Sequence, residues 1–390
     1  MQRPLLSVLI PTHNRQRYAI PSVRSIAHAV PDGEIILCDT SENDELSGPL
    51  RDLISSARVK ILRPGRPLSV VDNFNTALAA STGKFVTFLG DDDFLDASVS
   101  KVALWAEKRN IDALRCSFPA SYYWPDFASR YYGDGYSARL AISDFSGRVK
   151  QLDARAAYGA ALDNLGAGVG NMPRAYLGII SRPLIDVIVA KHGALFGGVS
   201  PDIYSAALIS SATRGAVEID YPFIVPGSSG ASTSGLSAKG QHKGDLWNND
   251  HIRPFVNLQW DKRVPEFYSV PSVWSYSLLK AAEELGEGER ANFCRMYVKC
   301  ALAHPSYLSN ITPAVGELMR IRGRARVSAQ LVREVGKELL AQAARVGRRL
   351  RKPVATSGAH TITGLADCGQ ASAALSEYLA VPSQPKLQFE

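Results

Sequence analysis

The sequence predicts an α/β fold. A mostly parallel central sheet flanked by helices occupies residues 1–250, and a mainly helical region follows over 251–390. Three observations predict it. Short apolar runs alternate with segments of helical spacing through the first 120 residues, several of those runs end abruptly in polar residues, and from about Phe255 onward the apolar spacing is helical. Strands that alternate with helices at this spacing belong to a parallel sheet covered on both faces.

The elements follow in order. Residues 5–10 form an apolar run closed by Pro11, as in a buried strand. Residues 18–29 have helical spacing, with Val23, Ile26 and Ala27 on one side and Arg24 and His28 on another. A second strand, 34–38, gives way to Asp39. A helix is expected over 46–57, a strand over 59–62, a helix over 70–80, a strand over 84–89, a helix over 97–109 and a strand over 111–118. Residues 120–175 are irregular, and Gly166-Ala-Gly168-Val-Gly170 reads as a turn because no clear strand precedes it. Residues 201–212 read as a helix, with Ser200 suited to the N-cap and Pro201 to the first helical position. The Gly- and Ser-rich stretch 226–249 reads as a mobile loop.

Composition narrows the class. Apolar residues make up 46% and charged residues 21%, as in an ordinary globular protein. Uninterrupted apolar stretches of spanning length are missing, and the N-terminal apolar run lacks a small-residue cleavage site, so it reads as a strand and not a signal peptide. Five widely spaced cysteines without a CxxC pair argue against a disulfide framework or zinc cage and fit a reducing cytoplasm. The net charge of +7 is localised: residues 320–352 hold eleven Lys or Arg against Glu334 and Glu338, a net of +9, leaving −2 for the rest. Val332, Val335, Leu339, Val346 and Leu350 give this segment an apolar helical stripe. Two readings stand: an amphipathic helix on an anionic membrane surface, or a helix packed on the main domain with a solvated basic face. No aromatic-interleaved basic patch points to nucleic acid.

Ligands of open parallel sheets bind at the carboxyl ends of strands. Three such ends are polar here: Pro11-Thr12-His13-Asn14, Asp39-Thr40-Ser41 and Gly90-Asp91-Asp92-Asp93. Adjacent carboxylates repel unless a cation or a solvated loop relieves them. A hard divalent ion with oxygen ligands does so and keeps positions free for phosphate. The alternative is an acidic loop ahead of the next helix.

The segments Ser7-Val-Leu-Ile-Pro-Thr-His-Asn14, Glu34-Ile-Ile-Leu-Cys-Asp39 and Asn75 through Asp93, in this order and spacing, resemble family 2 glycosyltransferases. The resemblance covers about residues 5–95. It implies a GT-A fold, with 1–120 as the nucleotide-binding half and 121–250 as the acceptor half. It also implies an inverting transfer of sugar from a nucleotide diphosphate donor, UDP-sugar first and dTDP- or GDP-sugar next, to a saccharide or lipid-linked acceptor in cell-surface polysaccharide synthesis. By the same resemblance Asp39 reads the base, Pro11, His13 and Asn73 lie beside the nucleotide, and Asp91 touches ribose or a Mn2+ or Mg2+ ion held by Asp92 with Asp93 in support. Which of the three Asp residues is the main ligand is left open, because the family commonly carries Asp where this chain has Gly90. The arginine common just before Asn73 is also missing, with Arg63 or Arg66 as replacements. Asp202 is the expected general base, with Asp186 and Asp220 as rivals, although an Asp in a first helical turn also simply favours the helix dipole. His242 would close over the diphosphate or the metal, or be a bystander. Two other functions fit the architecture: a nucleotidyltransferase that makes a nucleotide sugar, and a non-catalytic binding protein on the same fold. The expected location is the cytoplasm, peripheral at the inner face of a membrane if the basic helix docks there.

Overall fold

The computed structural model describes residues 3–130, 132–232, 235, 243–351 and 360–389. The elements of the main sheet and its connections are β1 (Leu6–Thr12), α1 (Gln16–Ala29), β2 (Glu34–Asp39), α2 (Arg51–Ser55), β3 (Val59–Leu62), α3 (Val70–Ala79), β4 (Phe85–Phe88), β5 (Phe94–Leu95), α4 (Ser98–Arg109), β6 (Ala113–Cys116), β7 (Ala120–Tyr123), β8 (Arg139–Ile142), β9 (Val149–Gln151), α5 (Ala154–Asp163), β10 (Gly178–Ser181), α6 (Arg182–His192), α7 (Pro201–Ala212) and β11 (Ala216–Ile219). Eight strands pair in the order β3-β2-β1-β4-β10-β6-β11-β9. The first four are mutually parallel, β10 runs antiparallel to both neighbours, and β6 and β11 are parallel. The α/β class with a largely parallel sheet is therefore as the sequence predicts.

The apolar strands explain the layering. Successive side chains point to opposite faces. Leu9, Ile36, Val86 and Ile180 face a core shared with α3, α5, α6, α7 and the helices after residue 270. Val8, Ile10, Ile35, Leu37 and Ile179 face a second core, shared with α1 and α4. The chain goes outward from β1 to β2 and β3, then returns through α3 to place β4 on the other side of β1. This reversal opens a crevice beyond the carboxyl ends of β1, β2 and β4.

Three expectations change in detail. The helix expected over 46–57 is only Arg51–Ser55. Pro49 has no amide to donate, and the residues ahead of the helix form turns. The helix expected over 320–352 is two helices, Leu308–Arg322 and Arg324–Arg351, broken at Gly323, whose φ is +88°. Residues 120–175, expected to be irregular, hold β7, β8, β9 and α5, and residues 360–380 join this part of the molecule. His360–Thr363 pairs antiparallel with β8, and the helix Cys368–Ala380 packs against α1. Asp367 caps that helix by accepting from the Gln370 amide at 3.0 Å.

All five cysteines are buried and free. Among the described residues, no helix is long and apolar enough to cross a membrane.

Candidate active site

The three polar strand ends meet in the crevice. Thr12 ends β1 in register with Asp39 at the end of β2. Its hydroxyl donates to Asp91 at 2.7 Å, just beyond β4. Asn14 adopts the left-handed conformation, φ 53°, which Asn tolerates well, and its amide donates to the Ser41 hydroxyl at 2.7 Å. This tight turn delivers Arg15 to the start of α1. Pro11 lies in β1 itself, and His13 is exposed, with Nδ1 3.0 Å from the Thr40 carbonyl.

Arg15 was not singled out from the sequence, yet it organises the acidic motif. Its Nε donates to Asp91 at 2.6 Å, and its Nη2 lies 3.0 Å from Asp92 and donates to the Ser229 hydroxyl at 2.9 Å. The Tyr18 ring supports the guanidinium at 4.8 Å from its centroid. Ser229 also donates its hydroxyl to Asp92, at 2.6 Å, and its amide at 3.1 Å. The stretch expected as a mobile loop thus begins as structure: Gly227–Ser228 pairs with Tyr122–Tyr123 of β7, and Ser229 closes on the acidic cluster. A Cβ on Gly227 would sit 1.8 Å from the Asp92 carbonyl oxygen, so only glycine permits this approach.

The three carboxylates have different surroundings. Asp93 accepts from the Gly90 amide at 2.6 Å and from the Gly227 amide at 2.7 Å, one on each oxygen. It ties two segments together. Asp91 and Asp92 instead meet Arg15. All three are buried. Burial pushes Asp91 up to about 6, with Arg15 opposing and Asp92 adding to the rise. Burial and Asp92 push Asp93 up to about 8 against its two amide donors. Gly90, where the resembling family commonly has Asp, is explained by space. A Cβ there would approach the Tyr176 hydroxyl to 2.9 Å and the Asp93 and Asp92 carboxylates to 3.0 and 3.1 Å.

Among the described residues, no group of three His, Cys, Asp or Glu side chains is arranged to hold a metal. Asp91 and Asp92 are the pair whose chemistry fits a hard divalent ion, being adjacent oxygen donors whose present counter-ion is a side chain able to move. Both oxygens of Asp93 accept from backbone amides, and Arg15 does not reach it. His242 lies outside the described residues.

At the far edge of the crevice Asp39 is buried. It accepts from the Ser41 amide at 2.9 Å and from Arg63 Nη1 at 2.8 Å. Arg63 also donates to the carbonyls of Ser41 and Asn43, so it braces the Asp39 loop and is not free near Asn73. Asn73 is buried in α3, and its carbonyl oxygen has no partner among the described residues. Its neighbour Asn75 is committed to the backbone of Phe196, donating at 3.0 Å.

Asp202 stands in the first turn of α7. Ser200 does not cap this helix with its side chain; its hydroxyl donates to the Asp202 carboxylate instead. Tyr176 connects the two acidic regions. Its hydroxyl lies 3.4 Å from Asp93, and burial together with the charges of Asp93, Asp92, Asp91 and Asp202 holds its proton firmly. Asp202 is thus close enough to Tyr176 to add to the charge around it. His251 lies behind it, donating from Nε2 to the Val199 carbonyl at 2.6 Å; burial lowers its proton affinity, opposed by that carbonyl and by Asp202. The rivals are not so placed. Asp220 is taken by Ser117 and by the amide and hydroxyl of Ser146, and Asp186 lies on α6.

Residues 7–146 match the family model for glycosyl transferase family 2. A curated relative, the GalNAc(5)-diNAcBac-PP-undecaprenol beta-1,3-glucosyltransferase of Campylobacter jejuni, is 36% identical over 95 residues, which are 24% of this chain and 31% of the relative. The match thus spans about a third of that protein's length. Among solved structures, S. aureus TarS 1-349 in complex with UDP-GlcNAc is 12% identical at a TM-score of 0.42, over 85% of this chain and 80% of that one. A mannosyltransferase from Pyrobaculum calidifontis in complex with GDP-Man and Mn2+ is 13% identical at 0.41, over 89% and 81%. Superpositions this loose assign no residue.

Proposed function

We propose that this chain transfers a sugar from a nucleoside diphosphate to a hydroxyl of a saccharide or lipid-linked saccharide, with inversion at the anomeric carbon. The observation that carries the reading is the meeting of Asp39, Thr12, Asp91 and Asp92 at the carboxyl ends of three adjacent parallel strands, with Asp202 among the charges around Tyr176, whose hydroxyl lies 3.4 Å from Asp93. The family match of residues 7–146 supports it.

Asp39 takes the base, held in place by Arg63, while Pro11, His13 and Asn73 line the nucleotide. UDP-sugar is the favoured donor, because one carboxylate acceptor matches the uracil imide N–H. A divalent ion, Mn2+ or Mg2+, would be held by Asp91 and Asp92, and when bound it supplies positive charge to the departing diphosphate. Arg15, which pairs with both carboxylates in this structure, would have to yield them to such an ion. Asp202 takes the proton of the acceptor hydroxyl as its oxygen bonds to the anomeric carbon. The bond from that carbon to the diphosphate oxygen breaks in the same step, and nucleoside diphosphate leaves. Ser200 orients the Asp202 carboxylate for this work. The C. jejuni relative's name specifies an undecaprenol-linked saccharide, which favours a lipid-linked acceptor for cell-surface polysaccharide here.

Asp202→Asn separates binding from chemistry. Donor affinity by calorimetry is expected to stay within about twofold while transfer falls by roughly 10²–10⁴, the usual weight of a general base. Transfer near the wild-type rate would move the base elsewhere.

A further inference from the structure

The helix Arg324–Arg351 carries two different faces. Val327, Glu334 and Glu338 are buried and Leu331 packs on the core. With about 100° between successive residues, these four fall on one narrow arc. Glu338 accepts from Arg295 at 2.6 Å, and Glu334 accepts from Lys337 at 2.9 Å. A second arc, centred about 130° round the helix from the first, holds Val332, Val335, Leu339 and Leu340, which are 74%, 44%, 57% and 74% exposed. Of the apolar stripe read from the sequence, Val332, Val335 and Leu339 are therefore off the packed face and exposed, while the side chains of Val346 and Leu350 lie outside the described residues. Arg326, Arg333 and Lys337 border the stripe on one flank and Arg324 lies on the other. Arg324 and Arg326 have no ion-pair partner among the described residues.

We propose that this outward face docks on an anionic membrane surface. Both acidic residues of the segment are turned inward, so the exposed face is apolar at its centre and cationic at its edges. That arrangement matches acyl chains below a layer of lipid phosphates. The eleven Lys or Arg of residues 320–352 against two Glu extend the same charge along the segment. A second copy of the chain is a poor occupant, because a two-fold contact through this face would bring the cationic flanks together. A nucleic acid would use the charges and leave the apolar arc in water.

The test is flotation of the full chain with vesicles, without donor or acceptor, so that its result is independent of the transfer reaction. The wild type is expected to float with mixed phosphatidylglycerol–phosphatidylcholine vesicles and not with pure phosphatidylcholine, and to release as salt rises. Val332→Asp/Leu339→Asp is expected to weaken vesicle binding roughly tenfold or more, since buried apolar area sets interfacial affinity. Leu340→Asp alone tests the same face with a milder change, and helix content by circular dichroism checks the fold of both. A wild type that stays off anionic vesicles, or well-folded variants that bind like it, overturns the proposal. So does equal binding of duplex DNA by wild type and double variant without vesicle binding, which would assign the charges to nucleic acid.

Discussion

Arg15 sets the resting state of the acidic motif. Its guanidinium bridges Asp91 and Asp92, and its side chain is only 18% exposed. Removing one partner of such a pair leaves buried charge uncompensated, at a cost of about 3–5 kcal/mol. Arg15→Gln is therefore expected to lower the thermal midpoint clearly in EDTA and to regain much of it with manganese, which Asp91 and Asp92 can then hold without competition. A loss unrecovered by any divalent ion would contradict that assignment of ligands. Asp93 behaves differently, because its oxygens serve two backbone amides. Asp93→Asn presents an NH2 where an acceptor is needed and is expected to cost about 1–3 kcal/mol in urea unfolding. Asp92→Asn is expected to act on cation and donor affinity instead. The pattern of three Asp residues was legible in the sequence, but their division of labour was not. It depends on partners far away in sequence: Arg15 is 76 positions from Asp91, and Ser229 is 137 from Asp92. The one local sign was Arg15 itself, directly after the polar end of β1.

The elements that position the site were legible where burial makes continuous apolar runs. β1, β2 and β4 stand where those runs predict, and the polar residues that end them are the ones that meet. Edges and returns were harder to read. The strand at Gly227–Ser228 has no apolar run and sits in a Gly- and Ser-rich stretch; its reason for being there is the close approach to Asp92. Gly227→Ala is expected to displace the acidic loop, lowering both stability and donor affinity, whereas alanine at Gly316, in the helix Leu308–Arg322, where a Cβ meets nothing within 4 Å, leaves donor affinity alone. The helix Cys368–Ala380 buries Cys368, Ala371, Leu375 and Leu379, a stripe half of small residues that stands out poorly from its surroundings. Yet the Cys368 thiol lies 3.2 Å from the Asp92 carbonyl, so this tail backs the site directly. Leu375→Ala is expected to cost about 2–5 kcal/mol, measured by chemical denaturation, as for other fully buried leucines.

At the scale of the whole molecule, the sheet reversal at β1 gathers nucleotide-reading and acidic residues into one crevice. α7 carries Asp202 in its first turn, and the helix Arg324–Arg351 lies against the core with apolar and basic residues outward. These features fit a single account, a transferase that works at a surface. The donor site is the account's centre, and its most direct measurement is a calorimetric titration of the full chain with UDP-, dTDP- and GDP-sugars, with and without manganese, repeated on Asp39→Asn and Asp92→Asn. The account predicts manganese-enhanced binding of one nucleotide class, UDP-sugar first, lost or reduced by roughly tenfold or more in each variant, about 1.4 kcal/mol per tenfold. Binding of no nucleotide sugar, or binding indifferent to both substitutions, would contradict it.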